Sequence, residues 1–150
     1  MAFLLDSNIL LRSVDPASPM NADAVASVAK LLAASETVCL VPQNISEFWN
    51  VCTRPAANNG MGFTPEQTEA EVARLEALLN LVLDVPQIYH EWKTLVVKHS
   101  VLGVNVHDAR LVAAMNIHGF SHIMTFNDKD FRRYEPGITV MTPGDVIKAY

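Results

Sequence analysis

The sequence predicts an α/β sandwich with a parallel sheet, because short apolar runs alternate with longer segments of helical periodicity. The first run, Phe3 to Leu5, ends abruptly at the polar residues Asp6, Ser7 and Asn8, as expected for a buried strand that reaches the edge of its sheet. Five such runs are predicted strands: residues 3–5, 38–41, 81–83, 122–124 and 138–140. Strands that alternate with helices favour parallel pairing.

The segments between these strands predict helices. Proline suits the first turn of a helix, and it opens several of these segments. The predicted helices lie at residues 22–34, from Pro42 through Cys52, at residues 64–79, from Pro86 through Val96, from Asp108 through Ile117 and, as a short terminal helix, after Gly144. Between Asp6 and residue 22 the sequence predicts only a turn at 18–21, and residues 54–65 are a loop rich in glycine, asparagine and proline.

Length and composition predict one domain over residues 1–150 that is not disordered, since 50% of the residues are hydrophobic and 18% are charged. The net charge of −5 is not typical of a nucleic-acid-binding protein, but clustered acids can hold a cation and so create a locally positive site. Cys39 and Cys52 lie in apolar surroundings and are predicted to be free buried thiols. With no signal-peptide pattern and no membrane-spanning run, the expected location is the cytoplasm.

Carboxylates recur just past a strand or at the start of a helix: Asp6, Glu47, Asp108 and the cluster at 127–130. An acid at a helix start has a simpler explanation, because negative charge there is stabilising by about 0.3–1 kcal/mol. Asp6 fits that explanation poorly, since it follows an apolar strand directly. Acids that converge on one sheet edge would repel one another unless protons or a cation neutralised them. Mg²⁺ or Mn²⁺ suits oxygen ligands and is the expected cofactor.

These acids occur within four motifs in a fixed order along the chain: Leu5-Asp6-Ser7-Asn8, Ser46-Glu47, His107-Asp108-Ala109-Arg110-Leu111 and Thr125-Phe126-Asn127-Asp128-Lys129-Asp130-Phe131. The ordered set resembles the PIN-domain ribonucleases, and in particular the VapC-type toxins of bacterial type II toxin–antitoxin pairs. The resemblance runs the full length of the chain. The resemblance implies a PIN-like three-layer α/β/α sandwich with a central five-stranded parallel sheet.

The resemblance also implies an acidic site that binds Mg²⁺ or Mn²⁺ and cleaves RNA. The residues that match the family's acids, expected to be both catalytic and metal-binding, are Asp6, Glu47, Asp108 and Asp130. Residues expected to support the site are Ser7, Thr125 and Asn127. The fourth acid is open, because Asn127 stands where many relatives have aspartate, and Asp128 is expected to face solvent. Implied partners are the RNA substrate, a cognate antitoxin and a second copy of the chain in a homodimer.

The expected reaction is metal-dependent hydrolysis, in which a metal-bound water attacks the phosphorus of a phosphodiester. Candidate phosphate-binding residues are Arg54, Lys129 and Arg132, with Arg133 a further candidate. Arg110 ranks lower, because two residues along a helix turn its side chain away from Asp108. His107 is expected to have a structural role.

Three alternatives remain. A phosphatase of the haloacid-dehalogenase type would need a second aspartate where Asn8 stands. A response-regulator receiver would use Asp84 after the third strand, but it needs an early acidic pair that this sequence lacks. The third alternative is a PIN-like module that binds RNA or protein and cleaves weakly or not at all.

Overall fold

The computed structural model describes all residues, Met1–Tyr150, and contains a five-stranded sheet in the order β3-β2-β1-β4-β5. The strands are β1 (Ala2–Leu5), β2 (Thr37–Leu40), β3 (Asn80–Leu81), β4 (His122–Met124) and β5 (Thr139–Met141). Every neighbouring pair is parallel. The predicted fold class is therefore confirmed, although β3 is shorter than the predicted run at 81–83.

Seven α-helices flank the sheet: α1 (Ser7–Ser13), α2 (Asn21–Ala33), α3 (Pro42–Thr53), α4 (Pro65–Leu78), α5 (Gln87–Lys98), α6 (Asn105–His118) and α7 (Pro143–Ala149). Short 3₁₀ turns lie at Ala56–Asn58, Asp128–Asp130 and Arg132–Tyr134. Six of the helices match predicted segments. The prediction missed α1 and started α6 too late.

Two separate apolar cores confirm the three layers, because side chains that alternate along a strand point to opposite faces of the sheet. Leu4, Cys39 and Ile123 point to one face, where the core is completed by residues of α5 and α6. Phe3, Leu5, Val38, Leu40 and Met124 point to the other face, where they pack against α1, α2, α3, α4 and α7. The central strands are buried on both faces, which explains why they are continuous apolar runs.

The two cysteines are buried and free, as predicted. No helix combines the length and the apolar composition that crossing a bilayer would require.

Candidate active site

The site lies at the carboxyl ends of the strands and begins with Asp6, the residue directly after β1. Parallel pairing aligns Leu5 with Met124, so the residues that follow, Asp6 and Thr125, stand side by side at the edge of the sheet. The hydroxyl of Thr125 donates to Asp6 Oδ2 at 2.7 Å. Asp6 also caps α1, because its Oδ1 accepts from the backbone N–H of Ser7 at 2.7 Å. Its side chain is thereby held in one orientation, with only 7% of the residue exposed.

Asn8 completes the support around Asp6, a role that was not predicted. Its Nδ2 lies 3.3 Å from both Asp6 Oδ2 and Thr125 Oγ1, and its Oδ1 accepts from the backbone N–H of Phe126 at 3.3 Å. The backbone N–H of Asn127 donates to Thr125 Oγ1 at 2.9 Å. Asn8 therefore joins the start of α1 to the segment after β4, which only the pairing of β1 with β4 brings together.

Glu47 reaches the same edge from the second turn of α3, where both of its carboxylate oxygens are held. Ser7 Oγ donates to Oε2 at 2.8 Å, and Gln43 Nε2 donates to Oε1 at 2.7 Å. Gln43 Nε2 also lies 2.8 Å from the carbonyl oxygen of His107, the residue before Asp108. Gln43 thus connects α3, which carries Glu47, with the start of α6, which carries Asp108. Its position four residues before Glu47, on the same side of a helix, was the available sequence signal.

Buried Asn44 sets the position of α3 relative to β1. Its Nδ2 donates to the carbonyl oxygen of Leu5 at 3.0 Å, and its Oδ1 accepts from the backbone N–H of Val41 at 2.8 Å. Because α3 carries Glu47, this contact fixes the distance between Glu47 and the end of β1.

The pKa values of two of the acids are strongly raised. Burial is the largest cause of the rise in the pKa of Asp6 to about 6; the charges of Glu47 and Asp130 add to it, and hydrogen bonds from Thr125 and Ser7 oppose it. Burial also raises the pKa of Asp108 to about 7, with contributions from the charges of Asp6, Asp130 and Glu47. Asp6, Glu47, Asp108 and Asp130 therefore share one electrostatic environment, as expected for a site that holds a cation.

The PIN domain family model matches residues 3–135 of the sequence. The chain belongs to the PIN domain family.

Solved structures with low sequence identity share the fold of this PIN domain. VapBC2 from Rickettsia felis, bound to a promoter DNA fragment, is 14% identical with a TM-score of 0.69, over 95% of this chain and 98% of that chain. VapBC from Salmonella typhimurium, also bound to DNA, is 18% identical with a TM-score of 0.67, over 95% and 98%. VapC20 from Mycobacterium tuberculosis, a sarcin-ricin loop cleaving toxin, is 14% identical with a TM-score of 0.64, over 86% and 92%. Comparison with curated protein sequences gives no significant match.

The segment after β4 of this PIN domain contains the three residues whose roles the sequence left open, Asn127, Asp128 and Asp130, and each lies in a different environment. Asp128 is paired with Arg132, since the guanidinium Nη2 lies 3.1 Å from Asp128 Oδ2. Asp130 instead acts on the pKa values of both Asp6 and Asp108. Asn127 is tied to Thr125 through its backbone. Of these three residues, Asp130 is the one whose charge acts on the other acids.

The predicted phosphate-binding residues lie in different surroundings. Arg132 is engaged by Glu135 at 2.8 Å and by Asp128 at 3.1 Å, whereas its neighbour Arg133 partly offsets the rise in the pKa of Asp108. Arg54 follows the last residue of α3, seven residues past Glu47 and hence about 10 Å further along the helix axis. Lys129 is exposed beside Asp130. Among these four residues, Arg133 is the one whose charge acts on the pKa of Asp108, and Arg54 lies about two helical turns beyond Glu47.

The donor set fits a hard divalent cation, although the side chains do not already form a group of three metal-ligating residues. All four acids present oxygen donors, which Mg²⁺ and Mn²⁺ prefer. The raised pKa values of Asp6 and Asp108 show that the metal-free site resists full ionisation. A cation would relieve that repulsion and could draw the carboxylates closer together.

Proposed function

We propose that this PIN domain is a metal-dependent endoribonuclease that hydrolyses RNA phosphodiester bonds, with Mg²⁺ or Mn²⁺ held by Asp6, Glu47, Asp108 and Asp130. The observation that carries the proposal is the convergence of these acids at one edge of the sheet, where burial, together with the smaller effect of the neighbouring carboxylates, raises the pKa of Asp6 to about 6 and that of Asp108 to about 7. Raised carboxylate pKa values in a group of acids at the carboxyl ends of parallel strands are typical of a functional site.

The side chains around the acids would orient them for this reaction. Ser7 holds Asp6 through its backbone N–H and Glu47 through its hydroxyl, so one residue sets the spacing of two acids. Thr125 fixes the other oxygen of Asp6. When bound, the cation would supply activation of water and neutralisation of the charge that develops on the phosphate. Arg133, on the same side as Asp108, would attract the phosphate of the RNA.

The proposed biological role is that of a VapC-type toxin with a cognate antitoxin, acting in the cytoplasm as a homodimer. Support for the role comes from the similarity in fold to VapBC structures and to VapC20, an RNA-cleaving toxin. A protein partner is also favoured by an apolar groove of about 630 Å³ between α1, α2 and α4. Among its lining residues, Val25 is 48% and Leu78 57% exposed, and a partner helix would bury both.

Cleavage assays on the purified, partner-free chain test the catalytic proposal. Single-stranded and structured RNAs are incubated with Mg²⁺, Mn²⁺ or EDTA, using the wild type and the variants Asp6→Ala and Asp130→Ala. Asp128→Ala is the matched control, because Asp128 lies in the same 3₁₀ turn but pairs with Arg132. We expect cleavage by the wild type and by Asp128→Ala only when a divalent metal is present.

Each other outcome has a distinct meaning. Cleavage in EDTA, or cleavage by Asp6→Ala at the wild-type rate, contradicts the proposed metal site. Binding of RNA and metal without cleavage of any RNA favours the alternative of a binding module. Growth arrest on expression that a neighbouring gene relieves is the expected result for a toxin, and unimpaired growth contradicts that role.

A further inference from the structure

A second cavity lies at the same edge of the sheet as the acids, on the side of β3. It has a volume of about 440 Å³ and is bounded by the segment that follows β3, by the first half of α5 and by the start of α6. Because all strands are parallel, the segments after β3, β2 and β1 leave the sheet at one edge. The cavity and the acids are therefore neighbours along that edge. A strand of RNA that crosses the acids can continue across the cavity.

Only one side chain separates the cavity from Glu47. Arg110 lines the cavity, and its Nη1 donates to Gln43 Oε1 at 3.3 Å. The other end of the Gln43 amide donates to Glu47 at 2.7 Å. His107, which directly precedes Asp108, also lines the cavity. Glu47 is thus connected to the cavity wall by hydrogen bonds through Gln43 and Arg110. Asp108 is connected to it by the backbone, because the preceding residue His107 lines the cavity.

The cavity walls combine aromatic faces with a fixed donor and acceptor pair. Trp92 is half-buried, and its indole N–H donates to the carbonyl oxygen of Val106 at 2.8 Å, which sets the orientation of its ring. Tyr89 lies beside it with a ring-centroid distance of 6.3 Å and is 56% exposed. Arg110 and Asp84 also line the cavity, where Arg110 Nη2 lies 3.1 Å from Asp84 Oδ2, and both side chains are partly exposed. A flat apolar ring with polar edges matches these walls.

We propose that this cavity binds an unpaired nucleobase of the RNA strand, next to the phosphodiester bond that the carboxylate site cleaves. The proposal rests on the proposed ribonuclease function and adds to it a binding site for one unstacked base beside the scissile bond. Splayed bases of single-stranded RNA stack on aromatic side chains and on guanidinium planes and use their edges for hydrogen bonds. Tyr89 and Trp92 supply the stacking faces, and Arg110 with Asp84 supplies a donor and an acceptor for the base edge. Paired bases in a duplex could not enter.

The variant Tyr89→Ala tests the cavity without touching the acids or their supporting residues. Tyr89→Phe keeps the ring, and Val97→Ala is the matched control, because Val97 is 73% exposed on the same helix and does not line the cavity. Binding of a fluorescent 12-nucleotide single-stranded RNA and of the same sequence as a duplex is measured in EDTA, where the proposed reaction cannot proceed. Cleavage kinetics with Mn²⁺, the affinity for Mn²⁺ alone by calorimetry, and the molar mass by light scattering complete the set.

We expect Tyr89→Ala to weaken binding of the single strand about tenfold and to raise the KM for its cleavage in proportion. Its affinity for Mn²⁺ and its molar mass should stay those of the wild type, and Tyr89→Phe and Val97→Ala should bind as the wild type does. The proposed base-binding site is overturned if Tyr89→Ala binds the single strand with the affinity of the wild type. It is also overturned if the wild type does not bind the single strand. A lower molar mass for Tyr89→Ala also overturns it and assigns this face to self-association. Absence of cleavage by the wild type together with tyrosine-dependent binding contradicts the ribonuclease function but not the nucleobase site.

Discussion

The buried carboxylate of Asp6 should destabilise the metal-free fold, and the variant Asp6→Asn tests this. The pKa of Asp6 rises from its ordinary value of 3.8 to about 6, chiefly through burial. Between these two values the folded chain binds more protons than the unfolded chain does. The free energy of unfolding therefore falls as the pH rises from about 4 to about 6, and this contribution is constant at higher pH.

The loss in the free energy of unfolding follows from the rise in the pKa of Asp6. At about 1.4 kcal/mol for each pKa unit, the rise from 3.8 to about 6 corresponds to a loss of about 3 kcal/mol at pH 7.5. Asn at this position would leave the hydroxyl of Thr125 without its carboxylate acceptor, which costs about 1 kcal/mol. The net gain of about 2 kcal/mol corresponds to an increase of about 4–8 °C in the melting temperature of a chain of this size.

Thermal unfolding followed by circular dichroism in EDTA at pH 7.5 and pH 5 measures this effect. The advantage of Asp6→Asn should fall below about 1 kcal/mol at pH 5, because Asp6 of the wild type is then mostly protonated. Mn²⁺ should raise the melting temperature of the wild type more than that of the variant. Glu69→Gln, at an exposed position on α4, is the control and should change little. A variant that is less stable than the wild type at pH 7.5, or equally advantaged at both pH values, refutes the reasoning.

Three further substitutions have defined outcomes. Thr125→Val removes the hydroxyl that holds Asp6 Oδ2, and calorimetry should show Mn²⁺ affinity reduced about tenfold; unchanged affinity would contradict the role of Thr125. Phe48→Ala opens a void in a core where Phe48 is fully buried, and urea unfolding should show a loss of about 3–5 kcal/mol. Gly60→Ala would place a Cβ 1.8 Å from the carbonyl oxygen of Arg54 and should lower the melting temperature, whereas Gly144→Ala, with 3.7 Å of space, should not.

Strands and helices with a clear pattern of apolar residues were predictable from the sequence, and elements held by tertiary contacts were not. The strands were found because the sheet is covered on both faces, which makes each strand an apolar run. Helix α1 was missed because it has only seven residues, too few to form a stable helix alone. It exists because Asp6 caps its first turn and because Ile9 and Leu10 are buried in the core.

The acids themselves were easier to predict than the side chains that position them. Asp6 stands out because it directly follows an apolar strand, whereas Glu47 and Asp108 were assigned through motifs that resemble those of the PIN family. Asn8 and Gln43 are ordinary surface amides in the sequence. Their roles depend on partners 117 positions away at Thr125 and 64 positions away at His107, and only the parallel order of the sheet brings those partners within hydrogen-bond distance.

The 3₁₀ turn after β4 explains why the fourth acid could not be chosen from the sequence. With three residues per turn, successive residues are about 120° apart, so Asp128 and Asp130 point in different directions and only one can face the other acids. Asp128 forms an ion pair with Arg132, which also pairs with Glu135, whereas the charge of Asp130 acts on the pKa values of Asp6 and Asp108. Asp130 is left on the side of Asp6 and Asp108. An Arg132→Ala substitution would free Asp128 from its ion pair, and its carboxylate would then be available to the proposed metal site.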